Sequence, residues 1–361
     1  NFKQMSFLNG TLLNDLQSDQ ATNEKRFSEL GVVNAVLAST PSANYIPPSI
    51  KESLSSMSSL RNAEIPVIKD QTVTVVTTPG FEYIPSNLPE SDKYFFQPYD
   101  VFSGMRHYPS ANANNMVDAE FQSREVLKNV LYEMGNTVEG ILLTNLDARK
   151  TQVLNETEQV SGATNDYQFD GATDVLKIKK AAQEETMFYS LEALMDANEV
   201  GGDYRVVTNR AGLVRQKMEQ LKFGAGNDKN LDALGFFGAD RIHQSGNLTS
   251  AAKFDGYFLR DGSIGAVENF PADFRAGTEF AGKKWSVSDM ALPFVGMRAN
   301  IFTDKNATDA TSLITSGTDS NLIMTHFEEM AIWVRFYVVY RYNSSIGTRV
   351  NDIVKIQGLL T

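Results

Sequence analysis

The sequence predicts an α+β protein in which one long amphipathic helix supports a sheet, and three observations carry that prediction. Met116–Lys150 shows helical hydrophobic periodicity over about 35 residues. A proline-bounded, aromatic, β-prone stretch, 64–108, stands just before it. A second strongly β-prone run, Met330–Tyr342, lies near the C-terminus.

The helix is the clearest element. At 100° per residue, Leu127, Leu131, Met134, Val138, Ile141 and Leu142 fall on one side, and Asp118, Gln122, Glu125, Asn129, Glu133, Asn136 and Asp147 fall opposite. Asn115 is the expected N-cap, with Asp118 in the first turn. At about 1.5 Å per residue the rod is roughly 50 Å long. Gly135 and Gly140 each cost about 1 kcal/mol against Ala, which makes the stretch between them the expected place for a bend or break.

The remaining elements follow in order. Residues 1–45 are polar and weakly patterned and read as an arm, with a helix over Phe27–Leu37. Pro47 and Pro48 open a Ser-rich helix through Leu60, because proline fits the first turn. Gln71–Thr78 is β-branched and partly alternating, Pro79-Gly80 signals a turn, and Tyr94–Phe102 is a second extended strand. Pro98 cannot donate to a ladder, so that strand belongs at an edge. Together they form a hairpin excursion, which needs a surface to lie on because an isolated hairpin is marginal in water. Residues 155–185 read as a loop or small sheet insertion. Thr186–Asn198 reads as a helix, Tyr204–Thr208 as a strand, and Arg210–Phe223 as a helix capped by Asn209 with Leu213, Val214, Met218 and Leu221 on one face. With strands near Phe254–Leu259, these make a mixed α/β module. Asp289–Thr303 is a strand interrupted at Pro293 and Gly296, 304–320 is a Thr/Ser/Asp-rich loop, and His326–Glu329 is a turn leading into the last long strand.

Composition excludes several functional classes. Net charge is −11, with no basic cluster, which argues against a nucleic-acid-gripping surface. No apolar run approaches the 18 or so residues a membrane helix requires. The chain has no cysteine, so it has no disulfide framework, thiolate metal site or cysteine nucleophile. The N-terminus lacks a basic head with an apolar core, so it is not a signal peptide. It does not begin with Met, which suggests processing or trimming.

Chemical motifs fail one by one. Gly277–Lys283 matches the first seven positions of a phosphate-binding loop, but Lys284 stands where Ser or Thr should bind Mg²⁺, and Trp285–Pro293 does not read as the helix that must follow. Gly224-Ala-Gly226 lacks the third glycine of a dinucleotide fingerprint. His107, His243 and His326 have no metal-ligand spacing. No catalytic, cofactor-binding or metal-binding residue is assigned. Phe81, Tyr83, Phe95, Phe96, Tyr99 and Phe102 have few interleaved basic residues, which disfavours base stacking. Aromatic residues of this kind fit anchors that dock on another protein surface, and these six form the candidate assembly interface.

Taken in order, polar arm, β excursion, long helix, α/β module and late long strand resemble the Hong Kong 97 capsid fold of tailed-bacteriophage major capsid proteins. The segments that carry the resemblance are Ile65–Tyr108 as the extended E-loop, Met116–Lys150 as the spine helix, Thr186–Asp289 as the α/β A-domain and Met330–Tyr342 as the long P-domain strand. Asp255–Gly265 is similar to a late A-domain hairpin. The resemblance divides the chain into 1–63, N-terminal arm and short helix; 64–110, E-loop; 111–185, spine helix and P-domain; 186–290, A-domain; and 291–361, return strands.

The resemblance implies a non-enzymatic subunit that assembles with itself into pentamers and hexamers of an icosahedral shell. E-loops would lie across neighbouring subunits and N-arms would tie them together. The shell would enclose double-stranded DNA without reading its sequence. Portal and scaffolding proteins, and decoration proteins in some cases, are the implied partners. There is no membrane partner and no cofactor; the implied location is the virion, with assembly in the host cytoplasm. Some members crosslink a lysine to an asparagine of a neighbour, for which Lys69, Lys93, Asn343 and Asn351 are the positions to inspect. Three other readings stand beside this one. They are an encapsulin-like cellular shell, an enzyme with a carboxylate-based site in the α/β module, and a tail-associated or extracellular structural protein.

Overall fold

The computed structural model describes residues 30–43, 46–56, 63–68, 91–107, 116–154, 166–180, 187–198, 202–215, 218, 241–248, 254–270, 279–280, 283–284, 286–293, 295–309, 325–340 and 351–358. Four helices are described in full: α1 (Gly31–Ser39), α2 (Pro48–Ser56), α3 (Met116–Arg149) and α4 (Met187–Ala197). Further helical residues follow Asn209, at 210–215 and 218. The strands are β1 (Ala63–Ile68), β2 (Ser91–Phe96), β3 (Pro98–His107), β4 (Tyr167–Asp170), β5 (Val175–Ile178), β6 (Tyr204–Thr208), β7 (Ile242–Gln244), β8 (Asp255–Arg260), β9 (Ile264–Glu268), β10 (Glu279–Phe280), β11 (Lys283–Lys284), β12 (Ser286–Ala291), β13 (Arg298–Asp309), β14 (Thr325–Tyr340) and β15 (Ile353–Gly358).

α3 runs unbroken for 34 residues, straight through Gly135 and Gly140, so the expected break does not occur. Packing supplies the reason. Gly135 is buried against Leu30 and Val295, where a Cβ would stand 2.6 Å from the Leu30 side chain. The cost of glycine in a helix is offset by this close approach. Leu127, Leu131, Met134, Val138, Leu142 and Leu146 are all buried, whereas Gln122, Asn129, Glu133 and Asp147 are exposed, as the periodicity predicts.

The first sheet has five strands, in the order β12-β13-β14-β3, with β9 also paired to β14. β14 is its axis and spans 16 residues. Its first half pairs with β13, its last five residues pair with β9, and β3 runs along the other side. Two strands placed end to end on one side allow β14 to exceed the usual length of five or six residues. β3 is the opposite edge, and Pro98 starts it, as the edge reading of that proline requires. Even-numbered residues of β14 (Met330, Ile332, Val334, Phe336 and Val338) join the α3 stripe in one hydrophobic core.

The second sheet has six strands in the order β4-β5-β15-β8-β6-β7, antiparallel except at β15–β5 and β6–β7. It is buried on both faces. Tyr257, Leu259 and Ile353 point into the main core, while Phe258, Val354 and Ile356 form a second core with Leu191, Leu194 and Met195 of α4. Alternate residues of one strand thus serve two cores, because side chains alternate across the sheet.

Several sequence expectations change here. The hairpin β4–β5 belongs to the second sheet, not with the spine helix, because β5 pairs with β15 from the far end of the chain. β9 joins the first sheet, although the sequence grouping places it in the α/β module. β13 continues through Asp309, so 304–309 is strand rather than loop. His326–Glu329 lies within β14 rather than in a turn. The helical residues after Asn209 are capped by its side chain, which accepts from Gly212 N at 3.1 Å. Val214 and Met218 of that segment are about half exposed; Leu213 alone of the described stripe packs on the second core. Within 277–284 the described residues, 279–280 and 283–284, form the two short paired strands β10 and β11. Gln71–Thr78, Asn115 and Gly224–Gly226 lie outside the described residues.

The C-terminus of α3 is where the two sheets join. Thr151 N donates to Ile353 O at 2.7 Å, and the Asn351 amide donates to Arg149 O. Asn351 is therefore a helix-end partner inside the subunit. Arg149 donates to the Tyr340 hydroxyl at 2.6 Å and lies 3.9 Å from that ring's centroid. Asp147 accepts from Tyr257 at 3.1 Å and from Lys355 at 2.9 Å, with Lys150 at 3.1 Å. Partial burial pushes the Asp147 carboxyl up, but the hydrogen bonds from Lys355 and Lys150 outweigh it and hold the group below its ordinary value.

Candidate assembly surface

β1 and β2 pair only with each other among the described residues, in the register Ala63–Phe96 to Ile68–Ser91. Gln97 alone separates β2 from β3. The hairpin is therefore an outgrowth of the edge of the first sheet.

The six aromatic residues proposed from sequence separate into three groups. Phe81 and Tyr83 lie outside the described residues. Phe95 and Phe102 are 62% and 67% exposed. Phe96 and Tyr99 serve the subunit itself. Phe96 is buried with its ring edge-on to Tyr340 at 5.4 Å, and Tyr99 stacks on Phe336 at 5.7 Å while its hydroxyl meets the Asn145 amide. Phe96 is thus corrected from a docking anchor to a core residue. The reason is alternation: neighbours Phe95 and Phe96 must point to opposite faces.

Phe102 does not stand alone. The β3–β14 register sets it opposite Trp333, and the β13–β14 register sets Trp333 opposite Asn300. On that outer face Phe302 packs against Trp333 with centroids 6.3 Å apart, beside Ala331. The Trp333 indole donates to Asp100 at 2.9 Å. Arg335, 1% exposed, stands 3.5 Å from the same carboxylate, with its guanidinium 5.8 Å from the Trp333 ring. Farther along, Arg106 pairs with Glu329 at 3.1 Å and lies over Phe327. On this side of the sheet Phe102 is exposed and Trp333 partly so, whereas Phe302, Ala331 and Phe327 are buried within the subunit. The sequence reading missed Trp333 and Phe302. Odd-even alternation along 330–340 separates Trp333 from its core-facing neighbours, but only the register shows that it meets Phe102.

On the core side, His107 is 5% exposed and hydrogen-bonded to Ser123 at 3.2 Å. Burial lowers its pKa from 6.5, and the charge of its cross-strand partner Glu328 opposes that only in part. The unfolded chain therefore takes up a proton before the folded one does. This contribution is unfavourable only below about pH 6.5, so stability should fall as pH drops from 6.5 toward the lowered folded value, with a slope of at most about 1.4 kcal/mol per unit. Urea unfolding of the wild type and His107→Gln between pH 7 and 5 checks this. The variant should lose less stability over that interval, and parallel slopes would refute the assignment.

Among the described residues there is no group of three His, Asp or Glu arranged to hold a metal ion, and no helix is long and apolar enough to cross a membrane. The described geometry defines a class: an α+β subunit in which a long helix backs a sheet, with a hairpin growing from the sheet edge and a second sheet docked at the helix C-terminus. No protein-family model matches this chain, and no curated protein matches it. Among solved structures it is similar to a chain of the capsid structure of cyanophage P-SCSP1u, at 13% identity, 85% coverage of this chain, 86% of that chain and a TM-score of 0.44. It is also similar to chains from Mycobacterium phage Che8 (10% identity, 87% and 89% coverage, TM-score 0.42) and Microbacterium phage Oxtober96 (12% identity, 84% and 88% coverage, TM-score 0.40).

Proposed function

We propose that the chain is the major capsid protein of a tailed bacteriophage, with the Hong Kong 97-type fold. In this reading α3 is the spine helix, the first sheet is the P-domain, the second sheet with α4 is the A-domain, and the β1–β2 hairpin is the base of the E-loop. The role is structural rather than enzymatic. The observation that carries the reading is the hairpin itself. It leaves a well-packed sheet at its edge and pairs with nothing else described, which suits an element made to lie on a second copy.

Subunits would meet as pentamers and hexamers of an icosahedral shell around double-stranded DNA, with portal, scaffolding and decoration proteins as further partners. The acidic chain suits a container that encloses DNA without gripping it. Assembly would take place in the host cytoplasm and the product would be the virion. Electron microscopy of the recombinant protein tests the proposal. Closed shells or capsomer rings are expected, and a stable monomer at high concentration overturns it.

A further inference from the structure

Glu139 lies midway along α3, and its side chain is fully buried. One carboxylate oxygen accepts a hydrogen bond from the Ser245 hydroxyl and lies 3.5 Å from Val32 N. It therefore stands at the N-terminus of α1, where the positive end of the helix dipole and the unmet N–H groups favour an anion.

The surroundings show that this is a built joint. Gly135, one turn earlier on the same face of α3, makes room for Leu30. Leu30 forms a bridge with Ser245, just after β7, and Gly31 packs so closely on the Gln244 backbone that no Cβ fits there. Three parts of the chain thus meet at one carboxylate: the start of α1, the spine helix and the edge of the second sheet.

α1 depends on this docking. It is nine residues long, Gly-Val-Val-Asn-Ala-Val-Leu-Ala-Ser, and Leu30 supplies no side-chain cap. A helix this short and rich in β-branched residues is not stable alone. We propose that Glu139 is a latch, a positioning residue that holds the start of α1 against the spine helix and the edge of the second sheet, in addition to the apolar packing of Val32, Val33 and Val36. The inference concerns the subunit itself and holds whether or not a shell forms.

Hydrogen exchange of the full chain tests it, comparing wild type, Glu139→Ala, Glu139→Gln and Ser245→Ala. In Glu139→Ala, residues 30–39 should exchange about tenfold faster or more, while 330–340 and 353–358 keep wild-type protection. Glu139→Gln keeps an acceptor oxygen and should restore much of the protection. Unchanged exchange at 30–39, or equal loss in the sheets, overturns the latch. If Glu139→Ala does not fold, Ser245→Ala decides the matter: faster exchange confined to 30–39 supports the latch, and wild-type exchange there refutes it.

Discussion

Removing residues 79–89 is expected to abolish assembly while leaving the subunit folded. The segment lies between β1 and β2, whose ladder ends at Ile68 and Ser91. Of the residues in 63–96 whose side chains are described, Phe96 belongs to the main core and Phe95 is exposed. The core's other members come from α1, α2, α3, the two sheets and the segments that join them, none of which the deletion touches. On the proposed function the loss would fall instead on contacts with a second copy. Each 1.4 kcal/mol lost per contact weakens that contact about tenfold, and a shell repeats the contact at every subunit. Circular dichroism should show an unchanged fold, while size-exclusion chromatography and electron microscopy should show no shells. Wild-type shells from the deleted protein would remove the hairpin from the assembly mechanism.

Phe336→Ala should produce the largest loss of stability, about 3–5 kcal/mol. The ring is fully buried in the last third of β14, stacked on Tyr99 and packed in the same core as the α3 stripe. Truncation removes the transfer energy of the ring and leaves a cavity that a sheet clamped between β3 and β9 cannot close. A loss of that size is a large fraction of a typical domain's net stability. The contrast is Phe102→Ala, on the same sheet but 67% exposed, which should change unfolding by no more than about 0.5 kcal/mol and act on association instead. Denaturant unfolding of the two variants decides the point. A cost below about 1 kcal/mol for Phe336→Ala would mean that the sheet and α3 do not share one core.

The long helix was legible because its information is local. Leu127, Leu131, Met134, Val138 and Leu142 repeat at helical spacing, and any structure that buries them must turn them the same way. The edge position of β3 was legible for a similar reason, since Pro98 lacks a donor wherever it is placed. Glu139 was not legible. A glutamate in an amphipathic helix reads as solvent-facing, and only the arrival of Ser245 and Val32, each more than 100 residues away in sequence, makes a buried position tenable.

The aromatic segment shows the boundary between the two kinds of information most clearly. Its sequence alone determined that it would be extended, rich in apolar surface and ended by proline. It could not separate Phe95 and Phe102, which face outward, from Phe96 and Tyr99, which face inward, because that depends on the register of β3 against β14 for Tyr99 and Phe102 and on the seating of Phe96 against Tyr340 for the other pair. The sequence likewise determined most of the strands and helices of the α/β module. Which sheet each strand joined was decided by pairings over long separations, such as β5 with β15 and β9 with β14. The physical reason is common to all of these. Periodicity and backbone preference act over a few residues, whereas burial and ladder partners are settled by residues from elsewhere in the chain.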